Sequence, residues 1–463
     1  MPSYHLDDTI AAIATPIGEG GISVIRLSGV QAWPVTAEVF KPKKTGATTF
    51  TSHTVYFGSL CDENGMALDQ VLAIFFRGPH SYTGEDVVEI SAHGGIVVTR
   101  QILSLLIRKG ARHAEPGEFT KRAFLNGKLD LTQAEAVVDL IRAKSKRSLE
   151  IAARQLSGDL SKRLKALKDR LMKIYAHLEA YLDFPEEDFE VYSDGQIADT
   201  LGDIHAEIKK LLASFSRAAL LREGVMVAIV GKPNVGKSLL FNTLLERDRA
   251  LVSPYPGTTR DHLEEYLELD GVMIRLVDTA GLSEKAEDPL DQIGMERTRR
   301  LLAEAQLFLY IVDGSRPLEE DDCSVFRELP VEKPVLTVVN KCDLTRQIES
   351  AKLETWTGAN HPLFISAQTR QGIEDLEQEI IKTFLGGAFK NESEQITRLR
   401  HKQALESASC AIGNAQGAFL ERKSLEFVTL EVQTAVNALR ELIGEVYSED
   451  LLDVIFSEFC IGK

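Results

Sequence analysis

The sequence predicts a multidomain α/β protein: an N-terminal α+β block, then a discontinuous α-helical domain with an α/β module inserted into it. Three observations predict this. Short apolar, β-branched runs alternate with helix-length segments from Gly224 to about Leu385, the pattern of a mainly parallel sheet covered on both faces. Helical periodicity almost free of Gly and Pro precedes that module, to about Leu221, and returns after it at residues 393–417 and 425–459. A module whose ends lie close together can interrupt a host domain without disturbing it. Two unrelated helical segments are the alternative.

The first block, residues 1–119, mixes apolar runs with turn signals. Residues 22–27 and 71–76 read as strands, punctuated by glycine pairs at 20–21 and 94–95. Gly95 opens a run whose apolar positions Val97, Ile102, Leu105 and Leu106 predict a helix. The first part of the helical domain covers residues 120–221. There Thr132-Gln-Ala-Glu135 predicts a capping box ahead of an apolar-periodic stretch at 136–141. Residues 144–173 carry ten Lys/Arg against three Asp/Glu, and residues 179–194 carry seven acids and no base. That polarity is compatible with an RNA face, but charge runs are usually solvated helix surface, and this is the preferred reading. The inserted module covers 222–385, with strands at 225–230, 272–277, 307–312, 335–339 and 363–365. The helical domain resumes over 386–463, with Val428, Val432, Val436, Leu439, Ile443 and Val446 expected on one face.

The 463 residues suffice for two to four domains, each with its own core. Formal charge is 53 − 69 = −16, so the molecule as a whole repels nucleic acid and any RNA contact needs a local basic surface. Cys61, Cys323, Cys342, Cys410 and Cys460 are dispersed without metal-ligand spacing, which argues for a reducing compartment and against a disulfide framework. No stretch approaches eighteen apolar residues and no basic-then-apolar leader opens the chain. The expectation is a cytoplasmic protein without membrane insertion.

Chemistry concentrates in the inserted module. Gly231-Lys-Pro-Asn-Val-Gly-Lys-Ser238 follows an expected strand and opens an expected helix, the context in which a phosphate-binding loop is trustworthy. Gly231 and Gly236 let backbone N–H groups turn toward phosphates at a helix N-terminus. Lys237 reaches the β- and γ-phosphates and Ser238 ligates Mg²⁺. Asp278-Thr279-Ala280-Gly281, Asn340-Lys341-Cys342-Asp343 and Ser366-Ala367-Gln368 follow in order. Asp278 holds the Mg²⁺ shell through water and Gly281 reports the γ-phosphate through its N–H. A carboxylate accepts from the N1–H and exocyclic amine of guanine, a donor pair adenine lacks, so Asn340 and Asp343 confer guanine preference. Lys341 packs its stem over the base, and the Ser366/Ala367 backbone meets the O6 edge. Thr258-Thr259 supplies the switch threonine. The module is therefore a Ras-like P-loop GTPase domain that binds GTP and GDP.

The position after Gly281 is Leu282, where Ras-type enzymes place a water-orienting Gln. Catalysis then needs another group, a cation or a partner. Asn234 offers a neutral carbonyl oxygen to a monovalent cation beside the phosphates, and Ser253-Pro-Tyr-Pro-Gly257 can wrap it with backbone carbonyls, setting positive charge where an arginine finger would lie. A plain backbone-capping role is the other reading of Asn234.

With these motifs the chain resembles the tRNA modification GTPase family MnmE, also called TrmE. Gly-Thr-Thr-Arg-Asp261 and Asp278-Thr-Ala-Gly-Leu282 fit within the module. Outside it Ser81-Tyr-Thr-Gly-Glu-Asp86, His93-Gly-Gly95, Pro116-Gly-Glu-Phe-Thr120, Arg122-Ala-Phe-Leu-Asn-Gly-Lys128 and the tail Cys460-Ile-Gly-Lys463 fit as well. The resemblance implies a homodimer formed through an N-terminal folate-binding domain that takes 5-formyl- or 5,10-methylene-tetrahydrofolate as one-carbon donor. It implies pairing with an FAD-dependent MnmG (GidA) protein, with FAD on that partner only, to add a (carboxymethyl)aminomethyl group at C5 of the wobble uridine, position 34, of certain tRNAs. It also implies K⁺-activated GTP hydrolysis. Matched residue by residue, it assigns Asn234, Ser253, Tyr255 and Thr258 to K⁺, Ser238 and Thr259 to Mg²⁺, and Arg26, Glu89, Lys128 and Lys463 to folate. Val235, Leu239, Thr279 and Ala280 complete the nucleotide contacts.

The chemistry of a pterin suits part of the folate set. Its guanine-like donor edge needs an acceptor such as Glu89, and its glutamate carboxylates need Arg or Lys; surface salt bridges are the plainer reading for Arg26 and Lys128. Cys460 is either a reactive thiol at that site or a packed small residue. Two positions depart from the family pattern. Asp291 stands where a water-positioning Glu is usual, with Glu284 and Glu287 as substitutes, and Glu19 stands where many relatives have Arg. Thr259, Asp291 and Cys460 are the candidate catalytic residues. The alternative function is a ribosome-assembly or regulatory GTPase switch, but no KH-like Gly-x-x-Gly setting or aromatic-rich strand set for base stacking supports one.

Overall fold

The computed structural model describes residues 8–43, 49–184, 194–248, 264–278, 303–358, 361–385 and 396–463. They fall into two compact units, one of Met1–Ile141, Arg154–Ile208 and Gln403–Lys463, the other of Arg142–Ala153 and Lys209–Lys402.

In the first unit, strands β1 (Ile10–Ile13), β2 (Gly20–Ser28), β3 (Phe40–Pro42), β4 (Thr54–Cys61), β5 (Ala67–Phe76), β6 (Val87–Gly94) and β7 (Arg112–His113) form one sheet in the order β3-β4-β5-β6-β2-β1-β7. Neighbours are antiparallel except β1 and β7. Helices α1 (Ala32–Val39) and α2 (Ile96–Arg108) cover one face. Alternation explains which side chains they cover: Ile25, Leu27, Val71, Ala73, Phe75, Val88 and Ile90 are buried against them, each large one contributing roughly 1.5–3 kcal/mol. The residues between point the other way. Register then lines up Ile74, Glu89 and Arg26 across three strands on the opposite face.

Helix α3 (Glu118–Leu125) buries Glu118, Lys121 and Arg122 along with Phe119 and Phe124. Helix α4 (Leu131–Arg142) begins with a capping box, but not the one expected at Thr132 and Glu135. Gln133 N–H donates to Asp130 Oδ1 at 3.1 Å, and Asp130 N–H donates to Gln133 Oε1 at 3.0 Å. Asp130 outcompetes Thr132 because Asp is the stronger N-cap, and Thr132 and Glu135 are buried inside the helix.

Helix α5 (Lys146–Leu156) contributes its first eight residues to the second unit; α6 (Asp159–Asp183) and the first half of α7 (Asp194–Glu223) belong to the first. Leu164, Leu167, Leu171, Ile174 and Leu178 repeat every three or four residues along α6 and are buried, the spacing of a coiled-coil seam. The basic run is largely paired. Lys165 meets Asp130 at 3.3 Å, Lys168 meets Glu445 at 2.6 Å and Arg170 meets Glu207 at 2.5 Å. These pairs favour the solvated-surface reading; residues 185–193 of the acidic run lie outside the described residues.

The second unit holds a six-stranded sheet in the order β13-β12-β11-β8-β10-β9. Its members are β8 (Val225–Val230), β9 (Glu264–Leu269), β10 (Val272–Asp278), β11 (Leu307–Asp313), β12 (Val335–Asn340) and β13 (Leu363–Phe364). All pairs are parallel except β9 with β10. Val225, Val227 and Ile229 enter one core and Met226, Ala228 and Val230 the other. A central strand buried on both faces reads as a continuous apolar run, which is why its limits were legible. Among the described residues the module also has helices α8 (Lys237–Asp248), α9 (Glu320–Arg327), α10 (Ser350–Thr357) and α11 (Ile373–Leu385). Strand β9 was not expected, because Glu264, Glu265 and Glu268 break its apolar pattern at the sheet's edge.

After it, α12 (Leu399–Leu420), α13 (Leu425–Ile443) and α14 (Glu449–Ser457) return to helix. Val428, Val432, Ala435, Val436, Leu439, Leu442 and Ile443 are buried along α13, which packs on α6. Val446 is a correction. Gly444 ends α13 in the left-handed conformation at φ 81°, so Val446 leaves the helical face and is 47% exposed.

Candidate functional site

The phosphate loop leaves the carboxyl end of β8, whose neighbours are β10 on one side and β11 on the other. The chain order reverses there, which opens a crevice beside the loop. Gly231 has φ 153° and a side chain on it would collide with Ile311 O; Gly236 has φ 100° and a side chain would collide with Asn340 Nδ2. Both glycines are required by close approach as well as by conformation. Lys237, only 8% exposed, donates from Nζ to Gly231 O and Lys232 O, each at 2.8 Å. The ammonium thus sits inside the curl of the loop. Ser238 and Leu239 open α8 at the exposed side, and Val235 is buried beneath.

Asn340 is 2% exposed and acts as a strut. Its Nδ2 donates to Val235 O at 2.9 Å and its Oδ1 accepts from Ala367 N–H at 3.0 Å. Thr243 Oγ1 also donates to Ala367 O at 2.9 Å. Three sequence motifs are thereby joined through one side chain. Asp343 is exposed, with Oδ1 accepting from Ser366 Oγ at 2.6 Å, which leaves carboxylate lone pairs for an incoming donor edge. Lys341, at φ 66°, stretches back to Asn234 O at 2.9 Å and Asp313 Oδ2 at 2.6 Å. Burial works to raise the Asp313 carboxyl, but the Lys341 ammonium and Ser315 outweigh it and hold it below the usual range.

Asn234 is exposed at φ 65°, and among the described residues no hydrogen bond ties its side-chain amide. A carbonyl oxygen presented this way fits a monovalent cation. Ser253, Tyr255, Thr258, Thr259, Thr279, Ala280, Gly281, Leu282 and Asp291 lie outside the described residues, as do Glu284 and Glu287 and the side chain of Asp278.

A second cluster forms where the C-terminal tail meets the N-terminal sheet. Arg26 donates from Nε to Glu89 Oε1 at 2.8 Å, and its Nη2 reaches the same oxygen at 2.8 Å. Its guanidinium carbon lies 5.3 Å from the Tyr82 ring centre and 5.7 Å from that of Phe119, so cation–π contacts hold it from two directions. Arg26 Nη1 also donates to Gly462 O at 3.4 Å. The tail is seated through backbone: Ile461 bridges Pro116, and Gly117 N–H donates to Cys460 O at 3.5 Å. Burial and then the Arg26 guanidinium push the Lys463 ammonium below its usual range, against the pull of Glu89 and Cys460. Both Arg26 contacts fall on Glu89 Oε1, so Oε2 is placed to accept a donor edge such as that of a pterin. The residues present fit a folate in this respect. Lys128 stands apart, exposed, donating to Pro79 O at 3.0 Å. Cys460 is an exposed free thiol.

The family model described as the MnmE helical domain matches residues 131–460, and that described as the N-terminus of GTP-binding protein TrmE matches residues 9–128. The tRNA modification GTPase MnmE of Moorella thermoacetica is 47% identical over 465 residues, covering 99% of this chain and all of that one. This chain belongs to the MnmE family. Its counterpart named tRNA modification GTPase MnmE in Thermoanaerobacter pseudethanolicus is 42% identical, covering 98% of this chain and 99% of that one, and in Clostridioides difficile 41% identical, covering 99% and all. Among solved structures, Era of Aquifex aeolicus bound to GDP·AlF4⁻ aligns at 28% identity over 40% of this chain and 66% of its own, with a TM-score of only 0.30.

Within this MnmE-family chain, sequence reasoning missed Tyr82 and Phe119. It also missed the ties that set Tyr82's loop: Tyr82 Oη to Thr120 Oγ1 at 2.9 Å, Arg122 to Glu85 at 3.3 Å and Asn126 Nδ2 to Thr83 O at 2.7 Å. A run of charged residues buried on the short α3 was the available signal. Gly462 was a motif letter only. It has φ 94°, and a side chain there would strike Ile13 O and Ala14 Cα. Gly462→Ala is expected to unseat the tail and, on the folate reading proposed below, to weaken reduced-folate binding at least about tenfold, with GTP turnover unchanged. Titration calorimetry with 5-formyl-tetrahydrofolate checks this, and unaltered affinity would contradict it.

Proposed function

We propose that this chain is a GTP hydrolase whose turnover drives modification of tRNA at C5 of the wobble uridine, position 34. The one-carbon unit comes from 5-formyl- or 5,10-methylene-tetrahydrofolate, and the (carboxymethyl)aminomethyl group is completed with an FAD-dependent MnmG-type partner that alone carries FAD. The observation that carries this reading is identity of 47% across essentially the whole of both chains, because it spans the nucleotide motifs and the Cys-Ile-Gly-Lys tail together. Exposed Val55, Phe57 and Leu72 on β4 and β5 support a homodimer formed through the N-terminal domain, since apolar clusters of this kind usually meet a partner. No helix among the described residues is long and apolar enough to cross a membrane.

In the nucleotide site, Lys237 holds the β- and γ-phosphates, Asp343 selects guanine, and Asn340 fixes the loop against the base-binding segment. Ser238 and Thr259 would hold Mg²⁺; Asn234, Ser253, Tyr255 and Thr258 would hold K⁺. When bound, these ions supply positive charge against the phosphate oxygens. In the tail site, Glu89 accepts from the pterin edge, Arg26 orients Glu89, Lys463 and Lys128 offer cations to carboxylates, and Cys460 supplies a thiol nearby.

GTP turnover is expected to be at least about tenfold faster in K⁺ than in Na⁺, and Asn234→Ala should erase that difference. Equal rates in the two salts would sink the cation mechanism. Nucleoside analysis of tRNA from cells lacking the chain tests the larger reading. C5-modified wobble uridines should disappear; a full complement of them would count against it.

A further inference from the structure

Among the described residues, strand β9 is the edge of its sheet and pairs only with β10. The two are joined by Asp270-Gly271, with φ 46° and 78° between paired Leu269 and Val272, a two-residue connection of type I′ character. The hairpin is placed critically. It begins at Glu264, after Thr259 of the switch motif, and ends at Asp278 of the γ-phosphate motif.

One short segment grips this hairpin from outside the sheet. Tyr266 and Glu268 alternate along the strand and so share a face, and Asp270 follows them in the turn. The Lys144 ammonium lies 4.4 Å over the Tyr266 ring, Lys146 N–H donates to Glu268 Oε1 at 3.1 Å, and Arg147 Nη2 donates to Asp270 Oδ2 at 2.7 Å. The stem of Arg147 lies against Gly271, its Cγ 2.8 Å from where a Cβ would stand. The segment itself is stiff. Ser145 and Ser148 cap α5 reciprocally through N–H to Oγ bonds of 3.1 and 3.2 Å, and Ile151 packs into the core under β8, β9 and β10. An exposed ion pair alone does little, but three contacts, two to the strand and one to its turn, from an anchored helix start, fix a position.

We propose that residues 144–147 brace the β9–β10 hairpin and that Arg147 is a positioning residue for GTP hydrolysis, acting through the placement of strand β10, whose backbone ends at Asp278. This rests on the GTPase reading above. Because the brace lies on the chain directly between α4 and α6, it also gives the helical domain a covalent route to the nucleotide site.

The test is a double-mutant cycle in the full chain with Arg147→Ala, Asp270→Asn and both. Asn tolerates the left-handed conformation, so Asp270→Asn removes the charge without breaking the turn. Each single change should lower kcat at saturating GTP about threefold to tenfold, with GDP affinity and thermal midpoint nearly unchanged. The double variant should be no slower than the worse single, and Arg147→Lys should recover part of the rate. Unchanged kcat in Asp270→Asn, or losses that multiply in the double variant, would overturn the proposal. So would a lowered midpoint with normal kcat, the mark of a purely structural contact. A native chain that failed to hydrolyse GTP would instead refute the GTPase reading.

Discussion

Replacing Lys237 with alanine is expected to lower GTP turnover by at least about a thousandfold. Phosphoryl transfer needs little covalent help from protein, so its rate depends on positive charge preset against the phosphates. Lys237 is the side chain the fold commits to this. It opens α8, where N–H groups already point at the loop; the residue is 8% exposed and its ammonium is held at 2.8 Å by two loop carbonyls. Those bonds are a holding position inside the cradle, so little reorganisation precedes contact with a phosphate. Arginine should not rescue the loss, because a planar fork does not fit where a compact ammonium curls between Gly231 O and Lys232 O. Turnover measured at saturating GTP, beside a thermal melt showing the fold intact, decides it. A loss smaller than tenfold would mean that the loop does not serve hydrolysis.

The second large effect concerns the tail site. Glu89→Gln is expected to weaken 5-formyl-tetrahydrofolate binding at least about a hundredfold while leaving GTP turnover intact. The change keeps the shape of the side chain and alters only its bonding. Glu89 as a carboxylate accepts Arg26 on Oε1 and keeps further lone pairs for a donor edge. Glutamine must turn an N–H₂ group either toward Arg26, donor against donor, or toward the ligand. Arg26 is also left without its counter-charge although only 14% of its side chain is exposed. Two effects therefore act in one direction. Calorimetry with the folate and GTP assays on the same preparation separate the sites. Equal affinities would remove folate from this cluster, and a parallel loss of GTP turnover would show that the substitution damages more than its own unit.

Legibility differed between the two sites for a physical reason. The nucleotide site is made of local motifs, each a few residues long and each placed at a strand end, so spacing in the sequence carried most of its geometry. What spacing could not show was the joinery: Asn340, read as a base-selective residue, is also the strut between Val235 and Ala367. The tail site is the opposite case. Arg26, Glu89 and Lys463 are far apart in the chain, and only family resemblance named them together. Their meeting depends on strand register between β2 and β6 and on a tail held by Pro116 and Gly117. Tyr82 and Phe119 stood in the sequence only as letters of family motifs, since an aromatic residue beside a cation is invisible until the chain has folded.

Smaller misreadings follow the same division. The box at Thr132 and Glu135 was a valid local pattern, but Asp130 and Gln133 form a stronger one two residues earlier. Val446 matched the helical period yet lies beyond Gly444, where the period stops. The β9–β10 hairpin announced itself through Asp270-Gly271, a dipeptide made for a tight turn, but its acidic edge strand hid it from an apolar-pattern search.

The sequence by itself determined the class of fold, the two-sided burial of the nucleotide sheet, and the loop that holds phosphate. Those features are written in periodicity and short motifs, which depend on neighbours within a few residues. Only the tertiary structure decided which distant residues form the tail site, which cations are already paired, and that Lys144, Lys146 and Arg147 clasp the hairpin between the switch motifs. Such contacts join segments from 35 to 436 residues apart, and they exist only once register and packing have brought the segments together.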